Sequence, residues 1–366
     1  GDESFDPMEV LVVKEEQGEW LDVTGNRKRK KGWLKSPELS YEKVDIAVGK
    51  LLSEALNEDD PEKKQIMIAD IIDNPDLSNS VFIEDLKIFL SPFPVEKQIT
   101  AHTANDFLNA IGPNRKIILT SDEYNLSSVI DINSGYCERQ NETIVISEVE
   151  NLVISGEGVT PDIMVENPDV VIFRIKNAKN IAVQNVSLGH APKADECGAG
   201  VISVLNSENI LIEETVLYGS GLMGFSLNDV TDFKFVKSEI RECSFAIFYI
   251  EGSQNIKLEG STFTQNQGYD MFSLNAAKNV CFTNCLISGN SVYKWYQGDA
   301  PLFFIGDGTQ VKMESCKITD NEFAYFSTGG DFALLKDNEM TDNNWYKQKQ
   351  AEENNAEVEG NGDDET

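Results

Sequence analysis

An Asn, Asp or Gln followed by an apolar residue recurs along the second half of the chain: Asn151-Leu152, Asn180-Ile181, Asn209-Ile210, Asp232-Phe233, Asn255-Ile256, Asn279-Val280 and Gln310-Val311. Successive spacings are 29, 29, 23, 23, 24 and 31 residues. A unit that short cannot enclose its own apolar face. It must stack on copies of itself, so this region reads as a repeat solenoid rather than a conventional globular domain.

Within each unit the same slots are apolar. Counted from the aligned apolar residue, slots 0, +2, +5 and +7 read Ile181, Val183, Val186 and Leu188, and later Val280, Phe282, Cys285 and Ile287. The break in alternation between +2 and +5 predicts a corner between two short strands. Upstream, slots -8 and -6 read Phe173 and Ile175, Phe225 and Leu227, Phe248 and Ile250, Phe272 and Leu274, and Phe303 and Ile305. They predict a third strand carrying a nearly continuous phenylalanine stack.

Three short strands per repeat, with inward apolar slots, resemble a right-handed parallel β-helix of the pectate-lyase-like superfamily, over about residues 115 to 345. That resemblance implies coils about 4.8 Å apart. It also implies two ladders of turn amides, one at slot -1 and one formed by Asn266, Asn290, Asn321 and Asn343. Cys285 and Cys316 share an inward slot and are expected to be stacked core thiols. The fold hosts lyases, hydrolases, adhesins and caps alike, so it does not by itself assign a function.

The expected fold class is therefore mainly β, a right-handed parallel β-helix with other elements ahead of it. Residues 8 to 40 alternate short apolar runs with turns, and a Gly18-Glu19-Trp20-Leu21 strand, a charged turn and Gly32-Trp33-Leu34 before Ser36-Pro37-Glu38-Leu39 resemble the later part of a bacterial SH3-like domain whose first half is missing. Helical periodicity follows in Val44, Val48, Leu51, Leu52 and Leu56, and again in Ile66, Ile68, Ile71 and Ile72 after Pro61. A third short helix is expected from Ile83 to Leu90, and Thr103 should N-cap a helix running through Ile111. The resulting division is an SH3-like β segment over 1–40, a helical linker or cap over 41–98, the β-helix over 99–346 and an acidic disordered tail over 347–366.

Charge narrows the partners. With 31 Lys and Arg against 62 Asp and Glu, the net charge is -31, a field that repels phosphate backbones and anionic lipid, so nucleic acid is not expected as a partner. The basic turn Arg27, Lys28, Arg29, Lys30 and Lys31 is the one place suited to an anionic polymer. No stretch reaches the roughly 18 apolar residues that span a bilayer. The six cysteines, Cys137, Cys197, Cys243, Cys281, Cys285 and Cys316, lack metal spacing and are expected to be buried free thiols. An SH3-like segment beside a β-helix suggests an extracytoplasmic bacterial protein, periplasmic or at the cell surface, with a lipid anchor on an upstream Cys as one route. The oligomeric state is not legible at this level.

The long repeats gain their extra residues after slot +7, in loops 160–169, 189–199 and 291–301, which all leave one edge of the solenoid. Short turns lie between the second and third loops, giving an expected notch roughly 15 Å wide. His190, Asp195 and Glu196 would form one wall, Tyr293, Trp295, Tyr296 and Asp299 the other, with Arg241 and Tyr269 between them. Exposed aromatics beside carboxylates and amides suit carbohydrate, because a sugar stacks its apolar face and needs planar polar partners for its hydroxyls. Two classes remain open: non-catalytic binding of glycan or cell-wall polymer, which is preferred, and a polysaccharide lyase or glycoside hydrolase, which the sequence leaves uncertain. A lyase would call on Arg174, Arg241 or Lys294 as a base, yet no Asp/Glu cluster aligns with them. Catalytic residues stay unknown and no cofactor or metal is expected; calcium could enter such a fold, but no clear ligand cluster supports it.

Overall fold

The computed structural model describes residues 11–17, 20–25, 31–35, 43–58, 61–72, 74–80, 83, 86, 91–191, 198–293 and 298–347. The chain divides into two compact units, residues 1–94 and 95–366.

In the first unit, β1 (Leu11–Gln17), β2 (Trp20–Gly25) and β3 (Lys31–Lys35) form an antiparallel sheet in sequence order. Its β1–β2 register shifts between Val13 and Glu15. Lys31 opens β3 opposite Thr24, while Arg27, Lys28, Arg29 and Lys30 lie outside the described residues. Helices α1 (Lys43–Leu56) and α2 (Pro61–Ile72) follow, and Pro61 opens α2 where its missing N–H costs nothing. Val48, Leu52 and Ala55 meet Ile68, Ile71, Leu77, Ile83 and Leu86 in a small core of their own. Leu51 and Ile66, expected among the buried positions, are instead 39% and 56% exposed. The contact uses a narrow i, i+4, i+7 seam, which leaves residues on its flank in water. Of the expected third helix, Ile83 and Leu86 are helical and buried, and the rest lies outside the described residues.

The second unit is the solenoid. Among the described residues its strands make a ten-stranded sheet, here sheet 1, two nine-stranded sheets and a short four-stranded one. Sheet 1 starts at Lys97–Ala101 and Arg115–Leu119 and carries slots 0 and +2; sheet 2 carries slot +7; sheet 3 carries the phenylalanines. Neighbouring coils pair in parallel and in register, as in Ile181↔Ile210, Leu188↔Leu217 and Phe248↔Phe272. The exception is Cys137–Gln140, which closes one end of sheet 3 as an antiparallel partner of Thr143–Ser147. The architecture is the right-handed parallel β-helix, the hand that parallel crossovers adopt.

The core is the expected file of aliphatics and rings. Ile181, Ile210, Phe233, Ile256, Val280 and Val311 are all fully buried. Phe225 and Phe248 stack with centroids 4.8 Å apart, as do Phe272 and Phe303 at 4.4 Å. Between them, Phe248 and Phe272 meet edge-on at 4.9 Å. Five described cysteines, Cys137, Cys243, Cys281, Cys285 and Cys316, are free. Cys281 departs from the expectation of burial because it occupies the outward slot +1 and is half-exposed.

Polar ladders turn the corners. Asn151, Asn180, Asn209, Asp232, Asn255 and Asn279 have φ between 53° and 60°, a left-handed conformation that Asn and Asp tolerate better than other side chains. Their amides link successive coils, with Asn180 donating to Asn151 and Asn209 to Asn180 at 2.7 Å each. The second ladder is interior: Asn266 donates to Asn290, Asn290 to Asn321 and Asn321 to Asn343 at 2.9, 3.0 and 2.9 Å. Slot +5 forms a third, less legible ladder, because Thr215 N donates to Ser238 Oγ and Ser238 N to Ser261 Oγ at 3.1 Å. Cys285 N continues it to Cys316 Sγ at 3.4 Å. Its side-chain contact with Cys316, followed by burial, pushes the Cys285 thiol up, consistent with an inert core position.

The beginning of the solenoid is closed by helix α3 (Ala104–Ala110). Thr103 is its N-cap, its hydroxyl accepting from Asp106 N at 3.1 Å. Phe107 is fully buried, edge-on to Tyr124 at 6.0 Å and to Phe173 at 6.1 Å.

Candidate functional site

Sheet 2 presents slots +6 and +8 outward. Along slot +8 the parallel register aligns Gly189, Tyr218 and Arg241 in three successive coils, while Asp162 stands on the coil before Gly189. The Tyr218 ring lies back across Gly189, where a Cβ would overlap it. Its hydroxyl reaches both oxygens of Asp162 at 2.8 Å. The Arg241 guanidinium lies 5.1 Å from the centre of the same ring. It also pairs with Glu242 at 2.9 Å and Glu239 at 3.8 Å.

These partners fix chemical roles. Burial, followed by the Asp162 carboxylate, pushes the Tyr218 hydroxyl well above the ordinary phenol range, so at neutral pH it is a hydrogen-bond donor. Arg241 is shared among two carboxylates and an aromatic face, an arrangement suited to holding a planar cation in place.

The turn after Arg241 leads to a second feature. Phe245, Tyr269 and Tyr293 lie on the turns of three successive coils, Phe245 one position earlier in the register than the two tyrosines, and touch in order, with centroids 5.6 Å apart at each step. Backbone bonds hold this tier in register, since Tyr269 N donates to Phe245 O at 3.0 Å. The Tyr293 hydroxyl donates to Ser244 O two coils away. Gly268 lies so close to the Phe245 carbonyl that a side chain there would overlap backbone. Phe245 is 41% exposed. Next to Tyr269, burial raises the Asp270 carboxyl above its usual range.

The notch residues expected from sequence are distributed as follows. Arg241 ends the strand Glu239–Arg241, Tyr269 lies on a short turn, and Tyr293 stands at the start of the long loop 291–301. His190 is the last residue of the strand Ser187–His190 and is 4% exposed, with Nε2–H donating to Val170 O at 2.8 Å. Asp299 is exposed and paired with Lys347. Asp195, Glu196, Trp295 and Tyr296 lie outside the described residues. Sequence reasoning passed over Asp162, Tyr218, Phe245 and Asp270. Tyr218 could have been found from Gly189, the one small residue at slot +8 beside a tyrosine in the next coil. Among the described residues, no three His, Cys, Asp or Glu side chains gather as they would around a metal ion.

A family model described as a right handed beta helix region matches residues 171–344, the most regular coils. No curated protein matches the chain by sequence. Among solved structures, the chain is similar to a pectate lyase from Paenibacillus sp. 0602, at 10% identity and TM-score 0.49, over 64% of this chain and 72% of that one. It is also similar to an alginate lyase from Paenibacillus sp. str. FPU-7, at 10% identity and TM-score 0.38, over 68% and 99% of the two chains. A third is the GH136 lacto-N-biosidase from Eubacterium ramulus, at 9% identity and TM-score 0.30, over 84% and 77%.

Proposed function

We infer that this protein binds an uncharged glycan at the turns between sheets 2 and 3 and does not cleave it. The observation that carries the reading is the tier Phe245, Tyr269 and Tyr293, placed four residues beyond a fixed guanidinium and beside a half-buried carboxyl. Aromatic faces take the apolar side of a sugar, and Arg241, Glu242 and Asp270 offer planar groups to its hydroxyls. Two carboxylates, Glu239 and Glu242, already pair with the Arg241 guanidinium, and Asp162 adds a third negative charge on the neighbouring Tyr218, which disfavours a uronate or phosphate-bearing chain. The strongest charged groups already satisfy one another: Arg241 with two glutamates, Tyr218 with Asp162. That supports recognition ahead of proton transfer.

A second reading rests on Asp270. Its raised carboxyl would suit the general acid of a glycoside hydrolase. In either case the antiparallel sheet β1–β3 is read as an SH3-like contact to cell-wall polymer, and the protein as extracytoplasmic. A glycan array combined with a reducing-end release assay on the same preparation tests the choice. Binding of neutral glycans without release is expected; release abolished by Asp270→Asn would establish the hydrolase instead.

A further inference from the structure

On the outer face of sheet 3, the parallel register places Tyr249, Ser273 and Phe304 in one outward file over three successive coils. Ser273 is 8% exposed, whereas Ser203 and Ser226, earlier in the same file and with an aromatic neighbour on at most one side, are half-buried. The two half-buried rings are what cover Ser273, and its hydroxyl has no hydrogen-bond partner among the described residues. The Tyr249 hydroxyl donates to Glu251 Oε2 at 2.9 Å and the Asn275 side chain bonds it from the next coil, so this wall is held before any ligand arrives. Asn275 Oδ1 lies over Gly306, where a Cβ would overlap it, and the glycine leaves room for that acceptor beside Ser273. The result is a slot with aromatic walls and a polar floor. Two coil spacings separate the walls at their backbones, about 9.6 Å, which exceeds the roughly 7–8 Å that a flat ring fills at van der Waals contact on both faces and suits the thicker chair of a pyranose.

We propose that this slot binds a pyranose whose hydroxyls are all equatorial, the β-glucosyl configuration, held edge-on with both faces against the rings. Such a sugar turns only C–H groups toward Tyr249 and Phe304, while the hydroxyls on its lower edge reach Ser273 and Asn275. An axial hydroxyl would be pressed against a ring and lose its water without a replacement. Glu251 is exposed at the rim and disfavours an acidic sugar. The slot is on a different face from the turns between sheets 2 and 3, and it stands whether or not those turns bind glycan.

Titration of the full chain with methyl β-glucopyranoside, followed through backbone amide chemical shifts, tests this. Amides of residues 249–251, 273–275 and 304–306 should shift together, and saturation transferred from the protein should reach C–H groups on both faces of the sugar. Methyl β-galactopyranoside, with one axial hydroxyl, should bind at least about fivefold more weakly. Phe304→Ala removes one wall and should raise the dissociation constant about tenfold. Ser273→Leu keeps both rings, fills the slot and should abolish the shifts. No shifts with the glucoside, shifts confined to residues 243–246 and 267–270, equal affinity for the galactoside, or a folded Ser273→Leu protein that binds as before would each overturn the proposal.

Discussion

The hydroxyl of Tyr218 is held 2.8 Å from both carboxylate oxygens of Asp162, a residue 56 positions earlier and two coils away. Most side-chain links in this solenoid join adjacent coils at equivalent slots. This one skips a coil, and it can do so because Gly189 leaves the intervening slot empty.

Replacing Gly189 with Ala should therefore act through Tyr218. A methyl group at 189 displaces the ring and breaks its bond to Asp162, costing about 1–3 kcal/mol. In a Tyr218→Ala background the same substitution should cost less than about 0.5 kcal/mol. Chemical denaturation of the four proteins in this cycle checks the coupling, and equal costs in both backgrounds would show that the glycine serves something other than the ring.

Alkaline stability should report the same contact. The folded-state pKa of Tyr218 is raised, so its contribution is complete below the unfolded phenol value near 10 and declines as pH rises above it. Tyr218→Phe should flatten the fall in melting temperature between about pH 9.5 and 11. Parallel wild-type and variant curves through that window would contradict the assignment.

The Asp270 carboxyl is also raised in the folded protein, by burial. Its favourable state is the protonated one, so stability is lost as pH rises through the range just above the usual carboxylate value near 4. Asp270→Asn should be more stable than wild type at pH 7 and no more stable at pH 3, as measured by thermal unfolding. The expected accompaniment is weaker glycan binding, the trade commonly met where a charge is kept for function.

The two asparagine ladders should differ in weight. Asn290 is fully buried, accepts from Asn266 N and Nδ2, and donates to Phe263 O and Asn321 Oδ1. Asn290→Ala strands several of these groups, and at about 1–3 kcal/mol for each unsatisfied group should cost more than about 3 kcal/mol. Asn255 has φ 59° at a half-exposed corner, so Asn255→Ala should cost only about 1–2 kcal/mol and Asn255→Gly less than that. Equilibrium unfolding in urea distinguishes the two.

The regular coils were legible because a period of about 23 residues repeats the same inward slots, and stacking forces every copy to bury them. The amide ladders were legible for the same reason: identical side chains recur at identical turns. Slot +5 was only partly so, since Thr215, Ser261 and Cys285 look like weak apolar residues until their backbone partners are seen. The site was harder to read. Arg241, Tyr269 and Tyr293 could be anticipated from loop lengths, but Tyr218 and Asp162 meet across a skipped coil that no periodicity marks. His190 was drawn to the loop by its neighbours in sequence, whereas the strand Ser187–His190 carries it inward to a backbone carbonyl.

Glycan binding measured beside glycan cleavage tests the central claim most directly. With a neutral oligosaccharide selected on an array, titration calorimetry should give a dissociation constant that Phe245→Ala and Arg241→Gln each raise at least about tenfold, with no new reducing ends over the same period. Unchanged affinity in both variants, or reducing ends that accumulate with wild type, would contradict it.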